Sequence, residues 1–165
     1  MLKPQDIVVL LKLVDLEKWT YESVAEDLGL SPSAVHSSLK RCDRSGLYKD
    51  RARRILKSAL KEFLVHGVRY SFPAKPGSLV KGIPTAHSAE PLNKKLVVSQ
   101  NSHYVWSCQS GNAEGKAIEP LHKCVPQAVQ KDPKLYQLLT ITDGLRVGKP
   151  RDREVAQQEL DKILA

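Results

Sequence analysis

The sequence predicts a mainly helical α+β protein in three parts. Residues 1–70 carry apolar positions at helical spacing, set between residues that begin and end helices, and this pattern is typical of a small helical unit. Residues 71–95 are rich in proline, which favours an extended connector along the surface. Residues 96–165 combine short apolar runs with two capped helices. We expect this last part to serve dimerisation or partner binding.

The first predicted helix covers residues 4–14. Its apolar residues form one stripe, made of Ile7, Leu10, Leu11 and Val14. That stripe is expected to pack across the next two helices and to complete a three-helix core. Trp19 and Tyr21 come just before and at the start of the second helix. We expect both to pack at the edge of this core, and stacking on a base is the alternative.

The second and third helices are predicted with defined ends. Thr20 is a good N-cap for a helix that runs to Leu28, and Gly29 permits the left-handed backbone of a sharp exit. Ser31 caps the next helix, and Pro32 takes its first position, where the missing N–H is not needed. Two short helices joined by a tight turn are an arrangement with which proteins present a helix to the major groove of DNA.

The third helix has an apolar side and a polar side. The apolar stripe consists of Val35, Leu39 and Cys42. The polar side consists of Ser33, Ser37, Lys40, Arg41 and Arg44, with Ala34 and His36 flanking it near the N-terminal end. Short side chains at the start of a helix let it approach base edges, and cations further along reach phosphates or guanine acceptors.

The segments LGLSPSAV and SLKRCDRSGL resemble the turn and recognition helix of bacterial helix-turn-helix regulators, especially winged repressors of the MarR and Lrp kind. The resemblance covers the first third of the chain. It implies sequence-specific DNA binding, usually as a dimer on a near-palindromic site. A winged domain continues with a β-hairpin after Gly46, but here a helical pattern that includes Ile55, Leu60 and Leu64 follows closely. The wing is therefore expected to be short or absent.

Basic residues are concentrated after the turn. The chain has a formal net charge of +8, and nine basic residues stand against two acidic ones between Lys40 and Lys61. A charge run is usually a solvated helix face. Because this one coincides with the predicted recognition helix, it indicates a surface along which a DNA backbone passes.

The predicted DNA-binding surface combines the third helix with the segment after it. The residues expected nearest to the bases are Ser33, Ala34, His36, Ser37 and Arg41. The residues expected on phosphates are Lys40, Arg44, Arg51, Arg53 and Arg54, and Ser31 at the start of the helix completes the set. A dimer would place two such helices about 34 Å apart, one turn of duplex, which predicts a two-fold symmetric operator.

A small β element is expected after the connector. Apolar runs at residues 96–99 and 104–107 predict a hairpin, and residues 116–118 predict a third strand. These strands are short, and polar residues separate the first two.

Two longer helices are predicted near the C-terminus. Asp132 and Pro133 begin the first of them, which ends before Gly148 and Pro150. The last helix follows and runs to about Leu164. The apolar stripes of these helices either form a dimer surface or close the protein's own core.

The sequence predicts no catalytic, cofactor-binding or metal-binding site. The segment GNAEGKA at residues 111–117 is one residue short between its glycines for a phosphate loop and has no Ser or Thr after its lysine, so we interpret it as a turn. Four residues have side chains that bind zinc, namely His103, Cys108, His122 and Cys124. They lack the paired spacing of a recognisable zinc site, and a buried thiol with surface histidines is the alternative.

Membrane insertion and secretion are not expected. The longest apolar run, residues 7–14, is interrupted by Lys12 and is too short to cross a bilayer, and the N-terminus lacks a signal-peptide pattern. The odd number of cysteines, three at irregular spacing, argues against a secreted disulfide framework. We therefore expect a cytoplasmic protein.

The predicted function is a transcriptional regulator, a repressor that binds double-stranded DNA by occupancy as a homodimer. The alternative from another class is a protein-interaction module that uses the helix-turn-helix scaffold to hold a protein partner, such as an antitoxin or an adaptor in an anti-phage system. A zinc-dependent or nucleotide-processing enzyme in the C-terminal part is a third alternative. A plain helical hairpin that touches no nucleic acid is the structural alternative.

Overall fold

The computed structural model of the chain describes residues 1–165 and has eight α-helices and five short strands. The helices are α1 (Pro4–Leu13), α2 (Tyr21–Leu28), α3 (Pro32–Arg44), α4 (Lys57–His66), α5 (Val68–Ser71), α6 (Val125–Ala128), α7 (Pro133–Val147) and α8 (Pro150–Ile163). The strands are β1 (Tyr48–Lys49), β2 (Arg54–Ile55), β3 (Leu79–Pro84), β4 (Tyr104–Ser107) and β5 (Ala113–Ala117). The prediction of a mainly helical α+β protein is confirmed.

Local hydrogen bonds set the ends of α2 and α3. Thr20 Oγ1 accepts a hydrogen bond from the Ser23 amide at 3.0 Å, and Ser31 Oγ accepts one from the Ala34 amide at 3.1 Å. Gly29, between the two helices, has a φ of +70°, where a side chain would be strained. The predicted caps and the predicted turn residue are confirmed.

The first three helices pack against one another through their apolar sides. The residues they share in the core are each 2% exposed or less, and they are Ile7, Leu10, Leu11, Val24, Leu28, Val35 and Leu39. Each such side chain stabilises the fold by about 1.5–3 kcal/mol relative to an exposed position. This packing fixes which side of α3 faces outward.

A short hairpin follows α3. Gly46, with a φ of +79°, ends the helix, and β1 and β2 then pair antiparallel with Tyr48 opposite Ile55 and Lys49 opposite Arg54. We call residues 48–55 the wing. Because Ile55 belongs to β2, the helix that was expected to include it begins only at Lys57. Where the sequence predicted a short or absent wing, the structure has a hairpin whose strands are two residues each.

The prediction that residues 71–95 form a connector is wrong for residues 79–84, which form β3. This strand pairs antiparallel with β4 on one side and with β5 on the other, and β4 pairs in parallel with β5, so the three strands close into a very small barrel. Prolines do not prevent this because Pro84 is the last residue of β3. The strand was missed because Lys81 and Gly82 interrupt its apolar pattern and its partners lie far along the chain.

The other strand predictions are partly wrong. Residues 96–99 form no strand, so the predicted hairpin does not exist. Residues 104–107 form β4 as expected, but they pair with β3. The third strand begins earlier than predicted, at Ala113, so residues 113–117 of the GNAEGKA segment form β5 and the turn lies just before the segment, at residues 109–110.

Helix α7 runs through the interior of the C-terminal part. Asp132 Oδ1 accepts a hydrogen bond from the Leu135 amide at 3.1 Å, which confirms the predicted N-cap. Every residue from Leu138 to Arg146 is buried. In α8 the buried positions include Val155 and Leu160. The apolar stripes of α7 and α8 therefore close the protein's own core, which is one of the two alternatives that the sequence left open.

A buried polar cluster ties α7 to the barrel. Asp143 Oδ2 accepts hydrogen bonds from Thr85 Oγ1 at 2.8 Å and from Trp106 Nε1 at 2.7 Å, and Oδ1 pairs with Arg146 Nη1 at 2.8 Å. Burial raises the pKa of Asp143, and the charge of Arg146 opposes this effect. Arg146 Nε also donates to the Phe72 carbonyl at 2.9 Å. The cluster therefore joins the barrel, α7 and the chain after α5.

The N-terminal helices and the C-terminal part share one hydrophobic core. A cluster of 32 buried hydrophobic residues takes members from all eight α-helices. At the same boundary Lys12 Nζ lies 3.2 Å from Asp27 and 2.7 Å from Asp132. None of the helices combines the length and the apolar character that crossing a bilayer requires.

Candidate nucleic-acid interface

The outward side of α3 is open to solvent. Its exposed polar residues are Ser33, His36, Ser37, Lys40, Asp43 and Arg44, with the cap Ser31 exposed in front of them and Ala34 half-buried at the edge. The opposite side is anchored by Val35, Leu39 and Cys42, which are completely buried. The helix therefore presents short polar side chains at its start and cations towards its end.

Arg41 does not belong to this surface. Its Nε and Nη2 each donate a hydrogen bond of 2.8 Å to the carboxylate of Asp6, a residue of α1 that is completely buried. The hydrogen bond to Asp6 raises the pKa of the guanidinium, and the Arg41 side chain is only 18% exposed. The structure therefore does not place Arg41 among the outward-facing residues where the sequence expected it, because the buried carboxylate of Asp6 accepts hydrogen bonds from its Nε and Nη2.

Lys40 joins α3 to the wing. Its Nζ lies 2.7 Å from Asp50 Oδ2, and the Asp50 amide donates to Asp43 Oδ1 at 3.1 Å. The hydrogen bond between the side chains raises the pKa of Lys40 and lowers that of Asp50. An exposed ion pair of this kind contributes little to stability, so Lys40 can exchange Asp50 for another anion.

Arg53, which the sequence placed on phosphates, is exposed but stacks on the protein's own aromatic rings. It lies in the turn of the wing with a φ of +49°. Its guanidinium carbon is 4.0 Å from the ring centroid of Trp19 and 5.4 Å from that of Tyr21. Nη2 donates to the Trp19 carbonyl at 3.0 Å. The expectation that Trp19 and Tyr21 pack at the edge of the core is confirmed, since both are half-buried against it.

Four exposed cations of α3 and the wing have no ion pair, no side-chain hydrogen bond and no aromatic partner within the chain. They are Arg44, Lys49, Arg51 and Arg54. Sequence reasoning included three of them and missed Lys49, because it did not treat the first strand of the wing as part of the surface. The alternation of buried Tyr48 with exposed Lys49 was the signal that could have found it.

The exposed side of α2 carries the opposite charge. Glu22, Glu26 and Asp27 are all exposed there. The cationic surface therefore does not extend onto α2. A polyanion is attracted to that surface and repelled from α2.

The histidines among the four residues with zinc-binding side chains interact with residues close to them in the structure. His103 Nδ1 lies 3.2 Å from Ser88 Oγ, and His122 Nδ1 accepts a hydrogen bond from the Cys124 amide at 3.1 Å. Burial raises the pKa of the Cys124 thiol to about 11, which disfavours the thiolate that binds metal. The structure brings no three His, Cys, Asp or Glu side chains together at metal-binding distance.

Comparisons of the chain with known protein families, curated proteins and solved structures found no match. The functional conclusion therefore depends on the geometry and charge of the surface formed by α3 and the wing.

Proposed function

We propose that the protein is a sequence-specific transcriptional regulator that binds double-stranded DNA through a helix-turn-helix unit formed by α1, α2 and α3. The observation that carries this proposal is the outward side of α3. It is solvent-exposed along its length, it has small polar residues first and a cation at its end, and unpaired cations of the wing flank it. A helix that only packs in a core does not need this arrangement.

In this proposal α3 enters the major groove. Ser33, His36 and Ser37 face the base edges, where hydroxyl and imidazole groups donate to or accept from bases. The four unpaired cations Arg44, Lys49, Arg51 and Arg54 bind phosphates on either side. With Arg41 held by Asp6 and Lys40 paired with Asp50, no unpaired long cationic side chain lies near the base edges, so phosphate contacts supply most of the affinity.

The proposed working form is a cytoplasmic homodimer that represses by occupying a near-palindromic operator. Two copies of α3 would then lie about 34 Å apart. The dimer would use a surface other than the apolar stripes of α7 and α8, because the chain itself buries them.

The test is the salt dependence of affinity for a random DNA duplex. Four phosphate contacts per protomer predict that log K falls with log salt concentration at a slope of about −3 to −4 per protomer, since each contact contributes about −0.9. We expect the double variant Arg51→Ala and Arg54→Ala to bind more weakly and to flatten the slope by about 2.

A matched control removes equal charge elsewhere. Lys75 and Lys116 are exposed, form no ion pair and lie outside α3 and the wing. Their double replacement by Ala should leave the slope unchanged. A flat slope in the unmodified protein, or equal effects of the two double variants, contradicts the proposal. A systematic selection of bound sequences then identifies the operator and its symmetry.

A second candidate function is a protein-interaction module, such as an antitoxin or an anti-phage adaptor that holds a protein partner. The acidic side of α2 favours it, because Glu22, Glu26 and Asp27 weaken contacts of that helix with a DNA backbone. An adaptor of this kind shows no steep salt dependence for random duplex, so the same measurement separates the two candidates.

A further inference from the structure

We infer that Arg53 is a positioning residue that fixes the wing relative to α3 through three aromatic side chains, and that it does not bind phosphate. The inference rests on the proposed DNA-binding function, because positioning is defined by what the wing and α3 contact together. We call the group of Arg53, Trp19, Tyr21 and His36 the aromatic strut.

The aromatic strut joins four segments of the chain. Arg53 comes from the turn of the wing, Trp19 from the loop before α2, Tyr21 from the first turn of α2, and His36 from the outward side of α3. The rings of Trp19 and Tyr21 meet edge to face at 5.5 Å, and those of Tyr21 and His36 at 5.3 Å. With the guanidinium of Arg53 at 4.0 Å from the Trp19 centroid, the contacts are continuous from the wing to α3.

Strand pairing alone does not hold the wing in shape, so contacts with the rest of the chain must do so: buried Tyr48 anchors its start, Lys40 pairs with Asp50, and Arg53 ties down its turn. Its strands are two residues long, and an isolated two-stranded hairpin of this size is not stable in water. Arg53 also has a φ of +49°, which persists in a residue other than glycine only where the surroundings determine it. The stack of the guanidinium on Trp19 and the hydrogen bond from Nη2 to the Trp19 carbonyl hold Arg53 in this backbone conformation.

Fixing Arg53 also fixes its neighbours. Arg51 and Arg54 flank the same turn and point to solvent without ion pairs. His36, which we place at the base edges, is held from the other end of the aromatic strut by Tyr21. The groups proposed to bind phosphates and bases therefore approach the duplex as one preorganised surface, and less order is lost from the free protein on binding.

Arg53→Lys separates the two roles. Lysine keeps the charge but has neither the planar group that stacks on Trp19 nor the forked donors. A phosphate contact predicts nearly unchanged affinity for duplex DNA. A positioning role predicts that affinity for duplex DNA falls about tenfold. It also predicts a similar fall in Trp19→Leu, although that replacement removes no charge. The double variant should be no weaker than either single variant, since both break the same contact.

A matched control is Arg51→Lys, which makes the same replacement two positions away where the guanidinium has no aromatic partner. It should keep affinity within about twofold, as expected for a simple phosphate contact. Equal losses in Arg51→Lys and Arg53→Lys would overturn the inference.

A second measurement does not depend on DNA. Amide hydrogen exchange of residues 48–55 should become faster in Arg53→Lys and in Trp19→Leu, while exchange in α7 stays unchanged. Faster exchange in a protein that binds no duplex would refute the proposed function and leave the aromatic strut intact. Tight DNA binding with unchanged exchange and affinity in Arg53→Lys would refute the aromatic strut alone. If Trp19→Leu fails to fold, the exchange and affinity measurements on Arg53→Lys alone test both the positioning role of Arg53 and the proposed DNA binding.

Discussion

At the scale of single residues, the decisive contact is the pair of Asp6 and Arg41. Asp6 carries a carboxylate into the core, where it accepts hydrogen bonds from Arg41 Nε and Nη2 and from the Lys3 amide, each at 2.8 Å. A buried carboxylate without partners is very costly, so this position requires a fixed cation. Arg41 is therefore withdrawn from the polar side of α3.

We predict that Arg41→Ala destabilises the protein but does not weaken DNA binding by the folded form. Removing the guanidinium leaves Asp6 buried without its cation, and the free energy of unfolding should fall by about 2–3 kcal/mol. Urea unfolding gives this value. Affinity for duplex DNA, measured where the variant is fully folded, should stay within about threefold because no base contact is lost.

Lys40→Ala is the control for this prediction, because Lys40 is the neighbouring cation and forms only an exposed pair with Asp50. It should change the free energy of unfolding by less than about 1 kcal/mol. If Arg41→Ala unfolds at the same urea concentration as the unmodified protein and binds DNA much more weakly, Arg41 contacts bases after all.

At the scale of elements, the sequence predicted best where the physics is local. The caps Thr20, Ser31 and Asp132 act on amides three residues ahead, so a short stretch of sequence contains the whole interaction. The role of Arg41 depends on Asp6, which lies 35 residues earlier. A pattern along one helix cannot contain that partner.

Strand β3 shows more strongly that a local sequence pattern does not contain distant partners. Its residue Leu79 pairs with Lys116 and its residue Ile83 with Trp106, so neither partner is near in sequence. Proline and glycine in the segment favoured a connector, because no local signal shows that Gly82 lies where another strand crosses. Long-range pairing decided this element, as it decided the place of β5.

Replacing Gly82 tests the close contact between β3 and β4. A Cβ at this position would overlap the backbone carbonyl of Trp106, and that backbone belongs to the paired strand β4. Gly82→Ala should therefore lower the free energy of unfolding by about 2–4 kcal/mol, as measured by urea unfolding.

Gly77→Ala is the matched control for Gly82→Ala. A Cβ at Gly77 would meet Ala117 at 3.6 Å or more, which is ordinary contact. It should change stability by no more than about 1 kcal/mol. Equal stability of the two variants would contradict the crossing of β3 and β4 at Gly82.

At the scale of the whole molecule, the continuous core joins the proposed DNA-binding unit to the C-terminal part. Leucines of α1 and of α7 belong to the same buried cluster. Lys12 adds a polar tie between them: burial disfavours its charge, but the hydrogen bonds to Asp132 and Asp27 outweigh this effect and raise its pKa. A raised lysine pKa stabilises the folded state below the unfolded value of about 10.4, and this contribution is lost as the pH rises through the folded pKa.

We predict from this core that the chain unfolds in a single cooperative transition. The two tryptophans report on the two parts, Trp19 beside α2 and Trp106 in the barrel. Trp19→Phe and Trp106→Phe each leave one fluorescent probe. In each variant, urea unfolding followed by fluorescence should have the same midpoint as unfolding followed by far-ultraviolet circular dichroism, which reports on helices throughout the chain. The two variants can differ in stability, since Trp106 donates a hydrogen bond to Asp143. If the Trp19 signal changes at a lower urea concentration than the helical signal, the N-terminal helices unfold separately and the shared core does not couple them.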